Sequence, residues 1–232
     1  MSASIITLAE LETTRSAADF LPWVKSALDR FSTKPLRQEA RAGKHFAQEL
    51  TEELLPIGWF ARGYFRSSPE VLIRWVSGNQ AHDAVVDDQR AQPGSVKYVE
   101  VTLADHDYED AKRMELLNLQ GHAPSYGPIM AKGPRHRRSE LRAELVAVDH
   151  DELVAEHLQR ATAAVTRKAA KNYPTGTSLI LRVDGTGPFC KPDDRTALDD
   201  LAVASFVPLL RGREFAALAI VGGNDLFLSY QL

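Results

Sequence analysis

The stretch Val96-Lys97-Tyr98-Val99-Glu100-Val101-Thr102-Leu103, with the shorter run His82-Asp83-Ala84-Val85-Val86 before it, constrains this chain more than any other. Both runs are rich in β-branched and aromatic residues, which suit a pleated, half-buried surface. Between them, Asp87 to Ser95 is polar and carries Pro93-Gly94, so the pair reads as an antiparallel hairpin with a long loop. Successive side chains of a strand alternate between its faces. Val99, Val101 and Leu103 therefore share one face, and Val96, Tyr98, Glu100 and Thr102 share the other. That second face begins apolar and turns acidic, which makes Glu100 half-buried.

In the simple register, Asp87 faces Val96 and Val85 faces Tyr98. Asp83 then lies directly across from Glu100, with Cβ atoms about 5 Å apart. Two carboxylates so placed repel unless one keeps its proton, both reach water, or a cation sits between them. Mg²⁺ suits the last case, because it takes oxygen ligands and is commonly held by one or two carboxylates plus waters and substrate phosphate. The plain alternative is two solvated acids on an ordinary hairpin.

The rest of the composition narrows the class. A chain of 232 residues, 44% of them hydrophobic, suffices for a full core in a single domain spanning 1–232. Cys190 is the only cysteine, so a disulfide framework is excluded. No apolar run approaches the roughly 20 residues of a membrane span, and Met1 to Leu8 lacks a basic leader segment, which points to a cytoplasmic protein without a membrane partner. The balance of 28 basic and 31 acidic residues gives a net charge of -3, so any polyanion site must be local. The one concentrated basic run is Lys132-Gly133-Pro134-Arg135-His136-Arg137-Arg138. It reads either as a solvated loop or as a loop whose Arg135, Arg137 and Arg138 contact nucleic-acid phosphates.

Along the chain, residues 8–31 carry apolar positions of one or two helices, and 1–35 forms an N-terminal helical extension. A helix is expected over Leu36 to Leu55, started after Pro35 and stopped by Pro56-Ile57-Gly58. Glu39, Glu49 and Glu53 sit on or beside its apolar stripe. Val71 to Val76 is a strand, so with the hairpin it makes a three-stranded meander. Residues 104–150 read as an insertion, with a helix over Tyr108 to Gln120 and a short strand near Leu145 to Val148. Asp151 to Tyr173 is a helix whose face runs Val154, Leu158, Ala161, Val165, Lys168, so a lysine continues an apolar stripe. Its plain reading is a snorkelling side chain near the helix end. Ser178 to Val183 is a buried strand, and 184–232 supplies a helix from about Thr196 to Leu210 and strands over Phe215 to Val221 and Leu226 to Tyr230. The fold class is α/β, a mixed sheet flanked by helices with a C-terminal strand pair.

Several motifs are absent. Gly185-Thr186-Gly187 and Gly222-Gly223 lack the Lys-Ser/Thr pair and following helix of a phosphate loop. The seven histidines form no His-Glu-x-x-His or Cys/His cluster, which argues against zinc. No Gly-x-Ser-x-Gly elbow is present.

The order of helix with glutamates, three-stranded meander, helix and strand resembles the core of the PD-(D/E)XK nuclease superfamily, the restriction-endonuclease-like fold. The resemblance spans Leu36 to Val183, with 36–103 and 151–183 as the core. It implies that Asp83 is the acid of the second meander strand and Glu100 that of the third. Thr102 stands where the family usually has lysine. The pattern Glu100-Val101-Thr102 is similar to branches in which the lysine comes from the following helix, and there Arg167-Lys168-Ala169-Ala170-Lys171 precedes the next strand.

The resemblance implies a Mg²⁺- or Mn²⁺-dependent phosphodiesterase acting on nucleic acid, DNA ahead of RNA. Asp83 and Glu100 would hold the metal, Glu49 would complete the shell or orient a water, and Lys168 would assist the chemistry. The alternative is a module on the same fold that has lost activity and serves as a nucleic-acid or protein adaptor. A third reading takes the acids as surface charges of an unrelated α+β protein.

Overall fold

In the computed structural model, which describes residues 5–104, 107–124, 127–132, 140–144, 146–183 and 187–232, the hairpin closes in the simple register. Ala84 pairs with Val99 and Val85 with Tyr98, and the Asp83 N–H donates to the Val99 carbonyl at 2.7 Å. Regular pairing ends at Ala84, and Asp83, bonded to the Val99 carbonyl and through its side chain to the Val101 N–H, lies beside Glu100 at the end of the ladder.

The described residues form one seven-stranded mixed sheet. Its members are β1 (Arg15–Ser16), β2 (Val71–Trp75), β3 (Ala84–Asp88), β4 (Tyr98–Leu103), β7 (Thr177–Arg182), β8 (Phe215–Val221) and β9 (Phe227–Gln231), in that spatial order. β4, β7 and β8 run parallel, and the other neighbours are antiparallel. A second, two-stranded sheet pairs β5 (Ile129–Lys132) with β6 (Glu140–Ala143). Of the short strand expected near Leu145 to Val148, Leu145 lies outside the described residues; the strand in this part of the chain is β6 just before it, where Leu141 packs against Ile129 and Leu116.

Alternation along the strands splits the core into two layers. Val99, Val101 and Ile180 face α2 (Ala17–Asp29) and α5 (Leu55–Tyr64), while Leu179 and Leu181 face α7 (His150–Ala169) and the C-terminal helices α8 (Pro192–Leu201) and α9 (Val207–Leu210). The N-terminal segment is more than an appendage. Ile6 before α1 (Leu8–Leu11), Leu11 at its end, and Phe20 and Val24 of α2 are fully buried in the first layer, and β1 extends the sheet as an edge strand.

The expected helix from Leu36 to Leu55 is broken in its middle and runs past its expected end. α3 (Lys34–Arg41) stops first, since Gly43, His45 and Phe46 all take left-handed backbone angles (φ 71°, 60° and 61°). α4 (Ala47–Glu49) then continues through a π-helical turn, Leu50–Leu54, into α5. Pro56 lies inside this helix. Proline lacks an N–H and crowds the carbonyl four residues back, so a regular α-helix would be disrupted. Widening the preceding turn relieves this, with the Leu55 N–H reaching back five residues to the Leu50 carbonyl. The chain repeats the device at Ala202–Phe206, just before Pro208.

α6 (Asp107–Gln120) lies in the expected insertion and touches α3. α7 begins at the Asp149 cap, whose side chain accepts from the Asp151 N–H at 2.9 Å, and ends at Ala169 rather than Tyr173. Lys168 is therefore in its last turn, and Lys171 lies beyond it. Among the described residues no helix is long and apolar enough to cross a membrane.

Candidate active site

Glu100 occupies the middle of β4, between β3 and β7, and is only 7% exposed. A carboxylate there needs partners, because an unpaired buried charge is costly. Lys168 provides the first, donating from the last turn of α7 to Glu100 Oε1. The buried Tyr173 hydroxyl donates to the same oxygen at 3.4 Å. Burial beside Glu100 pushes that hydroxyl's pKa well above the ordinary tyrosine range, so it acts as a neutral donor.

Asp83 sits just before β3. Its Oδ2 accepts the Val101 N–H at 2.7 Å, so the side chain extends the strand pairing where the backbone ladder ends. Burial pushes the Asp83 carboxyl up to about 7, and the neighbouring Glu100 and Glu53 charges add to the rise. The Val101 hydrogen bond and Lys168 oppose it. Glu53 comes from the π-helical turn, where its Oε2 accepts the Trp75 indole N–H at 2.7 Å. Burial raises the Glu53 pKa against the effect of that hydrogen bond, with Glu49, Glu52 and Glu100 adding.

Three acids from three elements thus share one electrostatic neighbourhood. Glu49 sits on the short helix before the π turn and lines a small hollow with Glu53 and Asp83, but it is Glu53 that bears on Asp83. Glu39 is engaged elsewhere, with His45 Nε2 at 2.9 Å. The widened turn rotates Glu53 out of the phase that a regular helix would give it, so 3.6-residue spacing does not single it out.

Asp83 and Glu53 open onto a cleft of about 1210 Å³ at the carboxyl end of β4. Ligands in open α/β sheets commonly bind outside the carboxyl ends of the strands. Arg167 donates to Thr102 Oγ1 at 3.4 Å, and Arg182, the last residue of β7, donates to the Thr51 carbonyl at 3.1 Å. Neither arginine stood out in the sequence. Arg167 adjoins Lys168, which is the only signal that points to it. Arg135, Arg137 and Arg138 lie outside the described residues.

Among the described residues no three His, Cys, Asp or Glu side chains form a ready metal cage. The donors present nonetheless suit a hard divalent ion. Asp83 and Glu100 are opposed acids, all the donor atoms are oxygens, and Asp83 Oδ1 and Glu100 Oε2 accept no hydrogen bond from the described residues. No family profile, curated protein or solved structure matches the chain.

Proposed function

We propose that the chain is a divalent-metal-dependent phosphodiesterase acting on nucleic acid, on a restriction-endonuclease-like arrangement of the PD-(D/E)XK kind. The observation that carries this reading is the contact between Lys168 and Glu100 directly beside Asp83. A cation from the helix before β7 reaches the acidic pair, so Thr102 need not be lysine. Asp83 and Glu100 would hold Mg²⁺ or Mn²⁺, which supplies positive charge at the scissile phosphate and an acidified water.

The chain's own groups do the rest. Lys168 and Tyr173 share Glu100 Oε1 and fix the carboxylate's orientation, leaving Oε2 without a hydrogen bond from the described residues. Lys168, held at Glu100, would supply positive charge to developing negative charge on substrate. Glu53 adds negative charge beside Asp83, and its bond to Trp75 anchors it.

One observation favours a second reading. Lys168 already neutralises Glu100, as it would in a module that has given up metal chemistry and retains the fold as an adaptor for nucleic acid or protein. Thermal melting with added metal separates the two. A ligand that binds only the folded state stabilises it by RT ln(1 + [L]/Kd), so millimolar Mn²⁺ on a site of about 0.1 mM affinity contributes on the order of 1 kcal/mol. The enzyme reading expects this shift in the wild type, its loss in Asp83→Asn and Glu100→Gln, and metal-dependent cleavage of a labelled polynucleotide. Equal metal responses in all three proteins would sink it.

A further inference from the structure

We infer that the cleft beside the acids takes a single-stranded polynucleotide rather than a duplex, with Arg167 and Arg182 holding consecutive backbone phosphates on either side of the end of β4. This deepens the phosphodiesterase reading and rests on it for the identity of the polymer.

The two arginines carry the first part. Neither has a carboxylate partner among the described residues: Arg167 contacts a hydroxyl and Arg182 a backbone carbonyl. Each keeps guanidinium donors for an anion, and the planar fork matches phosphate geometry. Their faces differ. Ile180 faces the α2/α5 layer, so Arg182, two residues on, belongs to that side, whereas Arg167 comes from α7 in the opposite layer. A backbone crossing the strand end would meet one arginine before the acids' neighbourhood and the other after it, with Lys168 between.

The cleft's boundary carries the second part. Its floor is Val101 to Leu103, and its far side is made by the end of α3 and by α6. These two helices are tied together: the Asn118 side-chain N–H₂ donates to the Gln38 carbonyl at 3.2 Å. A cleft bounded by two helices joined in this way suits a narrow chain better than a double helix, which needs a broad, flat approach. A single strand requires only a channel.

The cleft also offers the right surface. Met114 and Leu119 of α6 line the cleft while remaining 41% and 69% exposed. Arg41, Arg167, Lys168 and Arg182 line the same cleft beside the acids Glu52, Glu53, Asp83 and Glu115, so cationic points for phosphates and apolar surface for unstacked bases lie side by side. The volume of about 1210 Å³ also exceeds the roughly 300–1,000 Å³ of an ordinary small-molecule pocket.

The test is fluorescence anisotropy with a short labelled DNA strand and with the same strand annealed to its complement, both in EDTA, so that neither metal nor cleavage enters. The single strand should bind at least about tenfold more tightly than the duplex. Arg167→Gln with Arg182→Gln should weaken single-strand binding at least about tenfold and flatten its logarithmic salt dependence by about 1.4 units, the value for two phosphate contacts on a single strand. Arg167 is exposed at the end of its helix, so Arg167→Gln alone tests the site if the double variant does not fold. Equal or tighter duplex binding overturns the inference, as does unchanged binding in the glutamine variants. A metal site that fails its melting test leaves these outcomes readable, and the converse also holds.

Discussion

Lys168, in the last turn of α7, donates to Glu100 in the middle of β4, a contact between residues 68 positions apart. Both side chains are nearly enclosed, 14% and 10% exposed. Removing one partner of such a pair strands the other charge, which costs about 3 kcal/mol, whereas replacing both with apolar groups is often neutral. Lys168→Ala should therefore lower stability by roughly that amount and reduce metal-dependent cleavage at least about 100-fold, the lower end for an acid/base-type contribution. Lys171, exposed beyond the helix end, should cost less than about tenfold as Lys171→Ala. Denaturant unfolding and initial cleavage rates check both, and the reverse order would move the role to Lys171.

Glu53 and Glu49 separate in the same way. Glu53 bears directly on Asp83 and is anchored by Trp75. Glu53→Gln keeps an acceptor for the indole but removes one negative charge, a loss of roughly 1 kcal/mol of attraction for a cation at this range. Mn²⁺ affinity measured by calorimetry should fall about fivefold, and under twofold in Glu49→Gln. A larger loss in Glu49→Gln would return the role to the earlier residue.

These contacts show what the sequence could and could not carry. The hairpin register was legible because the side-chain period of a strand is two, so Tyr98, Glu100 and Thr102 had to share a face and the alternatives would have buried the wrong set. Lys168 was legible because it continued the stripe of Val154, Leu158, Ala161 and Val165. Glu53 was not separable from Glu49, because Pro56 widens the helix just ahead of itself and shifts its phase, a local response with no periodic signature. The break at His45 and Phe46 was hidden for a related reason: two non-glycine residues adopt left-handed angles that composition does not announce. Arg167 and Arg182 read as ordinary polar ends of a helix and a strand. Only the crossing of both elements at the end of β4 brings them to one cleft.

Gly63 tests the packing that sets α5 on the sheet. A Cβ there would fall 2.4 Å from the Phe227 ring, against several of its atoms at once. An aromatic ring in a packed layer has little room to yield, and overpacking of this kind costs typically 1–3 kcal/mol. Gly63→Ala should therefore lower the unfolding free energy by about 2 kcal/mol, although alanine is the better helix former. Combining it with Phe227→Leu, which frees the space, should recover part of the loss. A stabilised single variant would mean that the ring moves aside freely.

Asp83 gives the pH dependence. Its carboxyl stands at about 7 in the folded chain against an ordinary 3.8, chiefly because burial disfavours the charged form. Between those two values the folded state holds a proton that the unfolded state has released. Stability therefore falls as pH rises through this window, and the contribution is fully present below about pH 4 and lost by about pH 7. At 1.36 kcal/mol per unit, the loss amounts to at most about 4 kcal/mol. Asparagine cannot ionise, so Asp83→Asn should remove this slope. In EDTA, its stability relative to the wild type should improve steadily between pH 4 and pH 7 and level off above. Mn²⁺ should reverse the order at neutral pH, because a bound cation favours the carboxylate that burial penalises and only the wild type carries it. Parallel stability curves for the two proteins across this range would show that Asp83 meets water and that the opposed acids are ordinary surface charges.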